Sequence, residues 1–137
     1  MTGDRRDFDR RTGTGRRGED SLTRNIVVVE DEDDTRHLFA VLAHAAGWVV
    51  ATFPTAPLAQ RWDGWPDADV LVADYHLPGM TGSELVAWVR VEYPHVRTIL
   101  TSAVDPAQDK RDAAHTYIDK GEIAVQLTEL LEALRDG

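Results

Sequence analysis

The sequence has no cysteine, only two lysines, no apolar run long enough to span a membrane, and no apolar leader. Without Cys there is no disulfide, no thiolate nucleophile and no Cys-based zinc site. Without a long apolar run or a signal-like start, the expectation is a soluble cytoplasmic protein with no membrane partner. Cations are scarce as well: 15 Lys+Arg stand against 24 Asp+Glu, a net charge of −9. That balance argues against a broad nucleic-acid surface, so no direct DNA binding is expected. What remains is 137 residues, 42% of them apolar, enough for one ordinary core.

The charge is unevenly placed. Residues 1–24 hold seven Arg against five acids, with four Gly and few large apolar residues. They read as a disordered Arg-rich N-terminal extension, in the plain view a solvated leader. Residues 25–137 hold the folded domain and carry 8 Lys+Arg against 19 acids, a net charge of −11. Lys110 and Lys120 stand out there by rarity.

From Asn25 onward, strand-like runs alternate with helix-period segments. Ile26-Val27-Val28-Val29 and Val70-Leu71-Val72-Ala73 are uniformly apolar, as strands buried on both faces are. Trp48 to Phe53, Val96 to Leu100 and Tyr117-Ile118 supply three more strands. Helices are predicted from Asp33 or Asp34, as cap, to Gly47; from Pro54 to Trp62; from a Thr81–Glu84 capping box to Glu92; from Ala107 to His115; and over the stripe Ile123, Leu127, Leu130, Leu131, Leu134. Five strand–helix units in alternation predict an α/β fold: a five-stranded parallel sheet, doubly wound.

Ligands of such sheets bind beyond the carboxyl ends of the strands. The residues that stop the buried strands fall at that edge: Glu30 and Asp31, then Asp74, then Thr101 and Ser102, then Lys120. Three carboxylates gathered there repel one another unless a cation intervenes. Hard oxygen donors on a wet loop suit Mg²⁺ or Mn²⁺. A hydroxyl and an ammonium complement an anion. Acids for a metal with a hydroxyl and a Lys for a phosphoryl group describe phosphoryl transfer, with an Asp carboxylate available as nucleophile. Each residue alone has a plainer reading: the acidic run as a helix N-terminus, Asp74 as a turn residue, Ser102 as a loop hydroxyl, Lys120 as a solvated charge. Their appearance at successive strand ends is what favours a site. His37, His44, His95 and His115 are scattered and show no ligand spacing.

The stretches Val27-Val28-Val29-Glu30-Asp31-Glu32, Asp69 through Gly82, Ile99-Leu100-Thr101-Ser102-Ala103 and Tyr117-Ile118-Asp119-Lys120 resemble, in order, the receiver domain of two-component response regulators. The resemblance implies a flavodoxin-like (βα)5 fold. It implies that Asp74 accepts a phosphoryl group from a phosphohistidine of a histidine kinase or phosphotransfer protein. Asp31 and Asp74 would bind the metal directly, Glu30 through water, and His76 through its backbone carbonyl. Ser102 matches the switch hydroxyl, with Thr101 the less favoured neighbour. Tyr117 matches the aromatic that rotates on activation, and Lys120 the ammonium that pairs with the phosphoryl group. The protein would then switch a surface read by a downstream protein, and would be no enzyme beyond weak self-phosphorylation and self-dephosphorylation.

Gly121 stands where the family usually has a cis-proline, and the segment from Ser102 to Lys120 is a few residues short, so a stunted fourth helix is expected. Val104 is apolar and cannot activate water, which predicts slow dephosphorylation. No output domain follows the last helix, so a single-domain regulator or a receiver excised from a hybrid kinase is expected. Two rivals stand beside this reading. Asp31-Glu32-Asp33-Asp34-Thr35 satisfies the Asp-x-Asp-x-Thr pattern of haloacid-dehalogenase-like phosphatases, with Asp31 as nucleophile and Asp33 as acid/base. A degenerate receiver that works without phosphorylation is the other.

Overall fold

The computed structural model describes residues 24–104 and 106–136. The N-terminal extension, up to residue 23, lies outside the described residues. The chain runs β1 (Asn25–Val29), α1 (Asp33–Ala45), β2 (Val49–Phe53), α2 (Ala56–Gln60), a 3₁₀ turn (Trp65–Asp67), β3 (Val70–Asp74), α3 (Gly82–Glu92), β4 (Arg97–Ser102), α4 (Gln108–Arg111), β5 (Thr116–Asp119), a 3₁₀ turn (Lys120–Glu122) and α5 (Ile123–Asp136). All strands are parallel, in the order β2-β1-β3-β4-β5. This is the predicted doubly wound sheet. Its order reverses between β1 and β3, which opens a crevice at their carboxyl ends.

The strands are apolar throughout because helices cover both faces. On one face Val27, Val29, Leu71, Ala73 and Leu100 pack with Leu85, Val86 and Val89 of α3. On the other, Ile26, Val28, Val72, Ile99 and Ile118 pack with Phe39 and Ala43 of α1 and with Ile123, Leu127 and Leu131 of α5. Burying each of the Val, Leu, Ile and Phe side chains contributes about 1.5–3 kcal/mol.

Four local expectations are corrected. The α1 cap is Glu32, whose side chain makes no capping bond, rather than Asp33 or Asp34; both Asp residues lie in the first turn, where the helix dipole favours them. Trp48 precedes β2 rather than starting it. Its amide bonds to Ala43 and its indole N–H donates to the Leu131 carbonyl at 3.2 Å, so it is spent tying α1 to α5. The helix predicted over 54–62 shrinks to Ala56–Gln60. Thr55 caps it, accepting from the Leu58 amide at 3.3 Å. At its other end the Trp65 indole N–H takes the Ala59 carbonyl at 2.8 Å. Trp65 stacks on Tyr93 and meets Trp62 and Trp88 edge-on, so aromatic rings fill the layer that this short helix leaves thin.

The fourth helix, predicted over 107–115, has four residues, Gln108–Arg111. The residues after it are drawn onto neighbours instead of continuing the helix. Arg90 donates to the Ala113 carbonyl at 2.9 Å, and His115 Nδ1 accepts from the Thr98 amide at 3.0 Å. Ser83 donates to the Lys110 carbonyl at 2.9 Å, fastening α4 to the start of α3.

Candidate functional site

The site lies in the crevice between β1 and β3. β1 ends in four buried apolar residues, so the next residue, Glu30, is carried into the interior and is fully buried. Its amide donates to the Phe53 carbonyl at 3.1 Å. Its carboxylate accepts from the Glu32 amide at 3.1 Å and meets the Lys120 ammonium at 2.7 Å. Asp74 ends the fully buried β3 and is only 4% exposed. Lys120 Nζ lies 3.4 Å from its Oδ2. Asp31 is exposed at the mouth. Oxygens of Glu30, Asp31 and Asp74 all lie within 4.8 Å of one another.

Burial pushes the Glu30 carboxyl above its ordinary value, against the pull of the Lys120 hydrogen bond. Burial also pushes Asp74 up, opposed by the Lys120 charge and the His76 amide and helped by the Asp31 charge. For Lys120, burial acts downward, but the hydrogen bond to Glu30 and the nearby carboxylates outweigh it, so its pKa ends raised and it stays charged. One ammonium thus serves two buried carboxylates, and a third stands beside them. Crowded carboxylates with desolvated oxygens fit a hard divalent cation. Oxygens of Glu30, Asp31 and Asp74 are close enough together to share one.

The remaining predicted residues lie around this core. Thr101 and Ser102, at the end of β4, are both fully buried. The Ser102 hydroxyl donates to the Val104 carbonyl and accepts from the Val104 amide at 3.1 Å, so it faces its own loop. Tyr117 is half-buried in β5 beneath the Arg111 guanidinium, 4.5 Å from the ring centre. His76 is exposed after β3, its ring edge-on to Tyr75. Val104 is exposed at the rim. Asp33, the acid/base of the phosphatase pattern, lies outside the cluster, exposed and paired with Arg36. The Lys120–Gly121 link carries no cis peptide; instead Asp119 caps the turn, accepting from the Gly121 amide at 2.8 Å.

Three contributors were not singled out from the sequence. Arg36 donates to the Glu30 carbonyl at 2.9 Å and fixes the first acidic residue. Arg111 covers Tyr117. Neither has a sequence signal, since both depend on a tertiary meeting. Gly82 does have one: a poor helix former stands directly after the Thr81 cap. A Cβ there would lie 2.1 Å from the Asp74 carbonyl oxygen and 2.7 Å from its carbon. Only Gly lets α3 start this close to the strand that presents Asp74. Gly82→Ala is expected to cost about 2–3 kcal/mol, roughly 10 °C in Tm. Gly79 has φ +82° and open space around it, so Gly79→Ala is expected to cost only about 1 kcal/mol. Thermal melts of the two variants check the difference, and equal losses would contradict it.

Residues 26–134 match the model of the response regulator receiver domain, and the chain belongs to that family. No curated protein gives a significant match. Among solved structures it is similar to the response regulator protein TrrA of Thermotoga maritima in complex with Mg²⁺ and BeF. The TM-score is 0.74 at 24% identity, over 82% of this chain and 99% of that one. A CheY-like receiver domain protein of Methanospirillum hungatei gives 0.71 at 21% identity, over 83% and 94%. A LuxR-family DNA-binding response regulator of Staphylococcus aureus gives 0.72 at 19%, over 82% and 98%. At these identities the likeness is one of fold. No described helix is long and apolar enough to cross a membrane.

Proposed function

We propose that this receiver accepts a phosphoryl group on Asp74 from a phosphohistidine of a histidine kinase or phosphotransfer protein, and so switches a surface read by another protein. The observation that carries this is the grouping of Glu30, Asp31 and Asp74 within 4.8 Å at the switch-point crevice, with Lys120 on two of them. An Asp74 oxygen attacks phosphorus, the P–N bond to the donor imidazole breaks, and the imidazole leaves with the electron pair. Lys120 neutralises charge on the transferred group. A bound Mg²⁺ or Mn²⁺ supplies further neutralisation and orientation. TrrA, solved with Mg²⁺ and BeF, supports this reading by likeness of fold.

In this state Ser102 is turned to Val104, and Tyr117 is held under Arg111. Phosphorylation adds charge that Ser102 and Lys120 answer by moving, and the short α4, whose Arg111 covers Tyr117, is the element expected to respond. The protein acts as a phosphoacceptor rather than as a turnover enzyme. Because Val104 offers no polar group at the rim, the phosphoryl group is expected to be long-lived; a lifetime in the fast range of receivers, read by decay of the labelled protein, contradicts this.

The test is incubation with acetyl phosphate and Mg²⁺ followed by intact mass. The expected result is one added phosphoryl group, absent when EDTA is included. No adduct on rapid quenching would overturn the reading and leave a receiver that works without phosphorylation.

A further inference from the structure

Four buried hydroxyl residues are found among the described residues: Ser83, Thr98, Thr101 and Ser102. Three are bonded. Ser83 donates to the Lys110 carbonyl, Thr98 is paired with His115, and Ser102 is engaged with Val104. Thr101 is fully buried and its hydroxyl has no partner. An unpaired buried hydroxyl is disfavoured, because it has left water and gained nothing in exchange.

Its position is specific. Thr101 is the register partner of Asp74 on β3 and of Ile118 on β5. In a parallel sheet such partners share a face, so Thr101 and Asp74 leave the sheet on the same side, as Ile99 and Ile118 do. Lys120 follows β5, yet its ammonium reaches Asp74 and Glu30, at the ends of β3 and β1. Its side chain therefore crosses the end of β4, the strand that carries Thr101. Ser102, one residue on, leaves that strand on the opposite face.

Building on the phosphoacceptor reading above, we propose that Thr101 is a second, separate hydroxyl of this site and positions Lys120 and Asp74 in the phosphorylated state. When Asp74 becomes an acyl phosphate, its negative charge moves out to the phosphoryl oxygens, and Lys120 is drawn off Glu30 toward them. The Thr101 oxygen then accepts a hydrogen bond from Nζ–H, and its O–H donates one to the Asp74 acyl oxygen. The phosphorylated site is thus held by hydroxyls on both faces of β4, Ser102 on one and Thr101 on the other.

Thr101→Val keeps the shape and removes the hydroxyl; Thr101→Ser keeps the hydroxyl. Each is titrated with beryllium fluoride in saturating Mg²⁺, with Mg²⁺ alone as a second titration and thermal melts of the free proteins as a third reading. Thr101→Val is expected to melt at or above wild type, to bind Mg²⁺ alone unchanged, and to bind beryllium fluoride roughly tenfold more weakly. Thr101→Ser is expected to recover that affinity despite a lower melting temperature. Wild-type beryllium fluoride affinity in Thr101→Val overturns the role of Thr101 and leaves the phosphoacceptor reading standing. A wild type that takes neither beryllium fluoride nor a phosphoryl group overturns both.

Discussion

Asp74→Asn, incubated with acetyl phosphate and Mg²⁺, is expected to carry no phosphoryl group under conditions that label the wild type fully. The amide keeps the shape of the side chain but lacks the carboxylate oxygen that bonds to phosphorus. Glu30 cannot substitute, because it is fully buried and already bonded to Lys120 and the Glu32 amide. Folding is expected to survive the change. Burial and the Asp31 charge both disfavour ionised Asp74, so a neutral amide removes repulsion from the cluster. The variant is expected to melt at or above the wild type in metal-free buffer. A melt beside the intact-mass reading therefore separates loss of chemistry from loss of fold. Full labelling of Asp74→Asn would place the acceptor elsewhere.

Lys120→Met is expected to be the most destabilising single change at the site, and to be so only where the carboxylates are charged. The methionine keeps most of the apolar stem and removes the ammonium from Glu30 and Asp74. Breaking a buried pair by removing one partner costs about 3–5 kcal/mol. The sign with pH follows from the raised values of Glu30 and Asp74. A carboxyl whose folded-state pKa lies above its unfolded one favours folding when protonated. That contribution is fully present below the ordinary values of 4.5 and 3.8, and it is lost as pH rises through the folded-state values. Wild-type protein without metal shows this loss in part, because Lys120 opposes it. Without Lys120 both folded-state values rise further and the loss is larger. Urea unfolding of metal-free Lys120→Met is expected to show the full deficit at about pH 8 and a much smaller one at about pH 5. Mg²⁺ is expected to restore part of it at the higher pH by replacing the missing cation. An equal deficit at both pH values would mean that the loss does not come from the ionised carboxylates that Lys120 pairs.

The sheet and its edge were legible because uniform apolar runs leave few options. Val27-Val28-Val29 and Val70-Leu71-Val72-Ala73, alternating with helix-period segments, fit strands buried on both faces of a parallel sheet, and whatever polar residue ends them arrives at one edge. That reasoning alone gathered Glu30, Asp31, Asp74, Thr101, Ser102 and Lys120. The Thr81–Glu84 capping box was equally readable, since both of its bonds are local. Long-range partners were not readable. The length of α2 depends on the Trp65 indole taking the Ala59 carbonyl, and the length of α4 on Thr98 catching His115. The pairing of Lys120 with Glu30 as well as Asp74, and the turn of Ser102 toward Val104, belong to one state of a charge network rather than to any residue pattern. Nor was the absence of a capping bond from Glu32 readable. Its carboxylate accepts from the Thr35 hydroxyl rather than from a backbone amide, while its own amide donates to the Glu30 carboxylate.

The most direct measurement is the location of the phosphoryl group. Protein labelled with acetyl phosphate is reduced with borohydride, which converts an aspartyl phosphate to homoserine, and its peptides are mapped by tandem mass spectrometry. Homoserine at position 74, and not at 31 or 33, is the predicted result. Homoserine at position 31 with Asp74 unmodified would contradict the account, and would point to the Asp-x-Asp-x-Thr stretch as the reactive one.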